Sequence, residues 1–186
     1  MEKVQVENRS VGAAAAVIAG ATVDGKPNYI TLGSYGGLSI NPPTVYISIN
    51  KAHYTNAGIK ENGYYSVNMP NADVVAETDY VGIVSGKDTD KSDVFTSFYG
   101  KVDKAPMAEE CPVNILVKLT DVYDLEKNEI FIGTIEEVYV GKEFMVDGKP
   151  DVSLIKPLVL AGGNYCEVGK SVGTTRQVGK ALIKEK

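Results

Sequence analysis

Apolar and polar residues in this chain alternate in short runs, with few stretches of helical period. Residues 44–50 set Val45, Ile47 and Ile49 against Tyr46, Ser48 and Asn50. A period of two predicts a strand with one buried and one polar face. Residues 113–120 place Val113, Ile115, Val117 and Leu119 on one side, and residues 129–140 are the expected partner strand. Residues 14–22 predict the first core strand, which runs into Val23-Asp24-Gly25-Lys26. Asp-Gly favours a tight hairpin because both central residues tolerate positive φ. Pro27 then opens a strand over 28–35, at a position where its missing N–H does little harm. That strand is expected to end in a glycine-rich bend, and Pro42-Pro43 breaks the chain again. Thr55 is the expected N-cap of a helix over 56–62, closed by Gly63. A strand over 64–69 stops at Pro70, a helix is expected over 73–84, and one or two helical turns over 93–99. Asp147-Gly148 marks one more turn. Roughly seven strands with turn signals between them predict a mainly β fold with short helices, a closed or partly closed antiparallel barrel.

The chain has 186 residues, 44% hydrophobic and 23% charged. That length suits one domain spanning residues 1–186, able to bury a core without disulfides or a structural metal. With 24 acidic against 19 basic residues the net charge is −5, which leaves no basic face for duplex nucleic acid. Lys180, Lys184 and Lys186 read as a solvated basic end. No run of ~18 apolar residues predicts a membrane helix, and a cytoplasmic location is expected. Residues 11–23 are uncharged and contain Ala19-Gly20-Ala21, which resembles a signal cleavage site. Glu2 and Glu7 balance Lys3 and Arg9, however, and the apolar part is mostly alanine, so a core strand is the expected role. In a cytoplasmic protein the sequon Asn8-Arg9-Ser10 has no role.

Counting removes most common catalytic kits. Two cysteines, Cys111 and Cys166, make no disulfide framework. One histidine, His53, is too few for a Cys/His zinc site, and no metal is expected. No G-x-S-x-G elbow exists. If the chain is an enzyme, something other than its side chains carries the chemistry. Cys111, at a strand start, is expected to be a buried core thiol.

Two motif fragments lead nowhere. Gly169-Lys170-Ser171 resembles the end of a phosphate-binding loop, but Asn164 stands where its first glycine belongs. Asp88 to Asp93 resembles the start of a calcium loop, but Asp93 and Tyr99 replace the required Gly and Glu.

Three other segments carry candidate chemistry. Asn28 to Ser39 is a strand with small and hydroxyl residues, including Thr31, Gly33, Ser34 and Tyr35, and glycines that permit close approach by a planar ligand. Ser48-Ile49-Asn50-Lys51-Ala52-His53-Tyr54-Thr55-Asn56 puts a cation, an imidazole and a hydroxyl at a strand-to-helix junction. Free N–H groups and the helix dipole favour an anion there. Ser85-Gly86-Lys87-Asp88-Thr89-Asp90-Lys91 adds a bend and two lysines. Each segment alone has a structural explanation as turn, cap or solvated lysine.

In chain order these pieces resemble the flavin reductase-like, flavoredoxin-type family of FMN-binding split barrels. Gly25-Lys26-Pro27-Asn28-Tyr29-Ile30-Thr31 is similar to its G-x-x-N-x-x-T strand, and Leu38-Ser39-Ile40-Asn41-Pro42-Pro43-Thr44-Val45 to its L-S-x-x-P-P-x-V. Thr55 to Asn62 resembles T-x-x-x-I-x-x-N, followed by Ser66-Val67-Asn68. Gly82-Ile83-Val84-Ser85-Gly86 and Asp90-Lys91 resemble G-x-x-S-G and D-K, and Ala105-Pro106 and Glu110-Cys111-Pro112 the stretch before the late strands. The likeness covers roughly residues 10–168.

The resemblance implies a six-stranded, Greek-key-like split barrel working as a homodimer, with FMN near the subunit interface. By position, Asn28, Thr31, Ser34 and Tyr35 would face the ring and ribityl chain, and Asn50, Lys51, Thr55 and Lys91 the flavin and its phosphate. Gly33, Ser48, Ile49, His53, Ser85 and Gly86 complete the candidate cofactor site. The flavin would carry the electrons and the protein would bind and orient it. The chain departs from the family at three places. His53 replaces a frequent Lys or Arg, which makes phosphate affinity pH-dependent. Tyr35 replaces a frequent tryptophan. Glu126-Lys127-Asn128-Glu129 lacks the histidine of the G-D-H run common in nicotinamide-using relatives. The expected function is FMN-mediated electron transfer with NAD(P)H or a protein as donor. The alternatives are an NAD(P)H-dependent flavin reductase, a non-enzymatic flavin carrier, or a ligand-free interaction barrel.

Overall fold

The computed structural model describes residues 1–7 and 11–183. The sequon Asn8-Arg9-Ser10 and the tail residues Lys184 and Lys186 lie outside the described residues. Seven strands form one antiparallel sheet: β1 (Val17–Val23), β2 (Lys26–Leu32), β3 (Tyr35–Ile40), β4 (Pro43–Asn50), β5 (Tyr64–Met69), β6 (Val113–Asp124) and β7 (Asn128–Val140). Their order is β2-β1-β5-β6-β7-β4-β3. The hairpins β1–β2, β3–β4 and β6–β7 are local. The chain reaches β5 through helix α1 (Thr55–Asn62), and the route from β5 to β6 contains helix α2 (Val75–Ile83). The sheet curls so that Ile30 and Leu32 of β2 share one core with Val45, Ile47 and Ile49 of β4. No ladder joins β2 to β4. The molecule is therefore a mainly β split barrel, open along that seam.

The period-two segments behave as their alternation requires. Val45, Ile47 and Ile49 point into the barrel beside Val113, Ile115, Val117 and Phe131. β1 shows no alternation because both of its faces are covered. Val17, Ala19 and Ala21 face the barrel, while Ile18 packs outside it with Tyr29, Val81, Phe95 and Cys111. The Asp24-Gly25 turn has φ of 48° and 77°, as a two-residue hairpin with positive φ demands. Gly63 ends α1 at φ 67°, donating its N–H to Ile59 O, a left-handed C-cap that glycine accepts without strain. The Asp147-Gly148 turn also has positive φ at both residues.

Four expectations need correction. The strand expected over 28–35 ends at Leu32. The glycine-rich bend is instead β3, an edge strand paired with β4 in which Gly36 opposes Tyr46. This strand makes seven in the sheet. The strand expected over 14–22 breaks at Ala16, and Ala13–Ala15 joins a separate three-stranded sheet with Leu158–Ala161 and Asn164–Glu167. Residues 93–99 form no helix; Val94 and Phe95 are drawn against the β1–β2 hairpin, with Phe95 edge-on to Tyr29 at 5.2 Å. Thr55 is the first helical residue and not the cap. Tyr54 holds the cap position without a side-chain cap bond.

Cys111 is buried and Cys166 exposed. Burial, and then the Glu110 charge, push the Cys111 thiol far above its ordinary range. Iodoacetamide should therefore alkylate Cys166 in the native protein and spare Cys111 until denaturant is added. Peptide mass spectrometry reads this directly, and rapid native labelling of Cys111 would contradict the packing.

Among the described residues, no helix is long and apolar enough to cross a membrane.

Candidate functional site

Parts of all three candidate segments meet at one end of the barrel. Asn28, on β2, is 4% exposed and donates from Nδ2 to Thr55 Oγ1 at 2.7 Å. That bond uses a hydroxyl lone pair and leaves the Thr55 proton free to donate elsewhere. Gly86 closes the third side. A Cβ there would stand 2.3 Å from Asn28 Oδ1 and 2.7 Å from the Tyr54 ring, so only glycine permits the approach. Asn28, Tyr54, Gly86, Lys87 and Lys91 line a common hollow of about 330 Å³.

Lys91 is the buried cation of this hollow, 4% exposed. Its Nζ donates to Val81 O at 3.1 Å and Val84 O at 3.2 Å, the carbonyls that end α2. An ammonium has three donors, so one remains. Burial lowers the Lys91 pKa to about 8. His53 is exposed at the start of α1, and its pKa is lowered by partial burial and by the Lys91 charge. The first turn of α1 holds no acidic residue. Burial and the Lys91 charge disfavour a proton on His53, and the first N–H groups of α1 have no side-chain cap, an electrostatic arrangement that an anion relieves.

The rim is pinned by polar pairs. Lys26 Nζ meets Asp90 Oδ2 at 2.6 Å, and that bond holds the Asp90 carboxyl well below the usual carboxylate range. Tyr54 OH donates to Asp24. Ser85 Oγ accepts from Lys87 N at 3.2 Å and shapes the loop that carries Gly86.

The other candidate residues stand elsewhere. Thr31 projects from the opposite face of β2 and donates to Thr78 O of α2. Gly33 and Ser34 are exposed at the β2–β3 turn, and Tyr35 is half-buried against the core, with its hydroxyl pKa raised by burial. Ile49 is fully buried inside the barrel, so only its backbone is available to a ligand. Ser48 Oγ accepts from Asn128 Nδ2 at 3.1 Å. Asn50 is exposed, and its Oδ1 accepts from Ala52 N at 3.0 Å. Lys51 does not line the hollow. Its Nζ is held by Asp124 Oδ1 at 2.6 Å.

Sequence reasoning passed over Tyr54, Lys26, Asp24 and Asp90, which shape this hollow. Tyr54 lay between two residues already singled out, but an aromatic beside a helix start carries no chemical signal of its own. α1 is fastened to the barrel by Asn56, whose Nδ2 donates to Asn50 O at 3.2 Å and Glu129 Oε2 at 2.9 Å. Lys60 adds an ion pair to Glu129 at 2.9 Å. Burial opposes the Glu129 charge, but hydrogen bonds from Lys60 and Asn56 outweigh it and hold the carboxyl below its ordinary pKa.

The model of the flavin reductase like domain matches residues 9–169. The structure resembles the crystal structure of a flavoredoxin from Methanosarcina acetivorans with a TM-score of 0.94 at 37% identity, covering 98% of this chain and 100% of that one. It resembles a flavoredoxin of Desulfovibrio vulgaris (Miyazaki F) with a TM-score of 0.89 at 29% identity, covering 96% and 100%. An uncharacterized protein of Archaeoglobus fulgidus is 29% identical over 130 residues, 69% of this chain and 73% of that protein.

Proposed function

The chain belongs to the flavin reductase-like domain family, and we propose that it is a flavoprotein that binds FMN and passes electrons through it. The observation that carries this reading is the convergence of Asn28, Gly86 and Lys91 on one hollow, with Thr55 bonded to Asn28 and His53 close enough to feel the Lys91 charge. The flavoredoxin names of two similar structures support it.

The residues fit the cofactor. The phosphate would take the remaining Lys91 donor, the Thr55 hydroxyl and the first N–H groups of α1, with His53 alongside. Charge-assisted bonds of this kind are short and strong. Asn28 holds Thr55 in place through its 2.7 Å bond, and Gly86 keeps the loop close without a side chain in the way. When bound, FMN supplies one- and two-electron chemistry that no side chain here can. Among the protein's own groups, Lys91 and His53 neutralise negative charge, while Asn28 and Thr55 orient it.

A homodimer is part of the proposal. Leu38 and Ile40 on the edge strand β3 and Ile83 at the end of α2 are exposed apolar residues, and a second copy covering them would enclose the flavin ring. The 126–129 turn offers no histidine, and Asn128 is spent on Ser48. That favours a protein electron donor over nicotinamide.

Titration with FMN, followed by anaerobic reduction tried separately with NADH and NADPH, tests the proposal. Saturable binding with a bound-flavin spectrum is expected. Failure to take up FMN would overturn it, and fast turnover of a dye with NADH or NADPH would move the reading to a flavin reductase.

FMN affinity should also depend on His53. A bound phosphate raises the His53 pKa from its lowered free value, so affinity gains as pH falls through the range between the two. The phosphate itself takes up a proton near pH ~6, so the quantity to measure is the difference from His53→Ala. Identical pH profiles for the parent and this variant would place His53 away from the phosphate.

A further inference from the structure

A second hollow lies at the other end of the long β6–β7 ribbon, where β6 begins and β7 ends. It measures about 560 Å³ and is lined by Asp73, Glu109, Glu110 and Glu143 without a lysine, arginine or histidine. The ion pairs among the described residues are Lys26–Asp90, Lys51–Asp124, Lys60–Glu129 and Lys101–Glu136. None of them neutralises these four carboxylates. The wall is aromatic: Phe98 and Tyr139 meet edge to face at 5.6 Å, and Phe144 adds a third ring.

Asn114 gives the hollow an oriented acceptor. It is 4% exposed and lines the cavity. Its Nδ2 spends both hydrogens, on Asn68 Oδ1 at 2.8 Å and Ala108 O at 2.7 Å. Flipping the amide would set its oxygen against two acceptors, so the network fixes the orientation. With both Nδ2 hydrogens spent, Oδ1 is the polar atom that Asn114 has left to offer a ligand in the hollow it lines. A deep acceptor, four unneutralised carboxylates and aromatic faces all call for the same ligand chemistry. The ligand must donate hydrogen bonds, carry positive charge and present apolar surface to the rings.

We propose that this hollow binds an organic cation, an ammonium or guanidinium group carried on an apolar stem. Asn114 and the carboxylates take the charged head, and Phe98, Tyr139 and Phe144 flank the stem. Neither the flavin nor the residues around Lys91 takes part, so the inference stands apart from the proposed cofactor.

Agmatine serves as the free-cation probe and an acetylated, amidated arginine tripeptide as the protein-borne one. The uncharged n-butylurea is the control. Binding is followed by two-dimensional amide NMR, with the Asn114 side-chain amide as reporter. Saturable shifts with agmatine or the tripeptide, and none with n-butylurea, are expected. The probe that binds more tightly identifies the source of the cation. Glu109→Gln with Glu143→Gln should weaken binding about tenfold or more, since each removes a charge from an exposed position without altering shape. Tyr139→Leu should weaken it through the aromatic wall. Absence of saturable shifts with both cations, or unchanged affinity in both variants, would overturn the proposal.

Discussion

Gly58→Ala should lower the unfolding free energy by about 3 kcal/mol, although alanine is the better helix former. In an exposed helix the change would gain about 1 kcal/mol. Here the new Cβ would stand 2.3 Å from Thr22 O and 2.7 Å from Val23 Cγ2. The first of these atoms is backbone in a strand buried on both faces, and it cannot swing aside. α1 cannot retreat cheaply either, because Asn62 Nδ2 bonds both Thr22 O and Gly58 O at 2.8 Å. Overpacking of this kind typically costs about 1–3 kcal/mol or slightly more. The same shift would carry Thr55 away from Asn28, so flavin affinity should fall together with stability. Gly37→Ala is the control: nothing stands within 4 Å of its Cβ, and its effect should stay within about 0.5 kcal/mol. Urea denaturation of the two variants decides the matter, and a Gly58→Ala protein as stable as its parent would show that α1 is held less tightly than its contacts imply.

The contrast between these glycines also shows what the sequence could convey. Gly25 and Gly63 were legible because their function is local: a positive φ at a hairpin turn and at a helix end. The glycines of β3 were misread for the same reason. A run of Tyr-Gly-Gly has the composition of a bend, and only the sheet reveals that the Tyr46 ring lies across Gly36, where a Cβ would stand 2.7 Å from it. A cross-strand ring can cover an edge glycine and keep it in a strand. Residues 158–161 went unseen because they pair with residues 13–15, far away in sequence. No local pattern encodes such a contact.

The candidate site divides in a similar way. Residue types located the three segments, since a hydroxyl, an imidazole, a Ser-Gly bend and lysines suit an anion. Which lysine enters the hollow was not legible. Lys51 sits at the strand exit and looks well placed in one dimension. The β6–β7 hairpin tip brings Asp124 to it, however, 73 positions along the chain. Lys91 follows an aspartate in an exposed-looking loop, yet α2 folds its last carbonyls over it and buries it. Side-chain period also separated Thr31 from Asn28, because residues three apart on a strand face opposite ways.

Lys91→Met should therefore weaken FMN far more than riboflavin, by about ten- to a hundredfold, or ~1.5–3 kcal/mol for a charge-assisted contact. Riboflavin lacks the phosphate and needs the same fold, so the ratio of the two affinities cancels the loss of the Lys91 bonds to Val81 O and Val84 O. Lys51→Ala should leave that ratio nearly unchanged, because Lys51 already pairs with Asp124 at an exposed position, where ion pairs contribute little. The pH dependence has a definite sign. With the free Lys91 pKa lowered to about 8, and raised again when a phosphate binds, the preference for FMN should shrink as pH climbs above that value. The parent, Lys91→Met and Lys51→Ala, titrated with both flavins across that range, separate the possibilities. A larger FMN-specific loss in Lys51→Ala would place the phosphate at the β4 exit. Equal losses of FMN and riboflavin in Lys91→Met would mean that this lysine supports the fold alone.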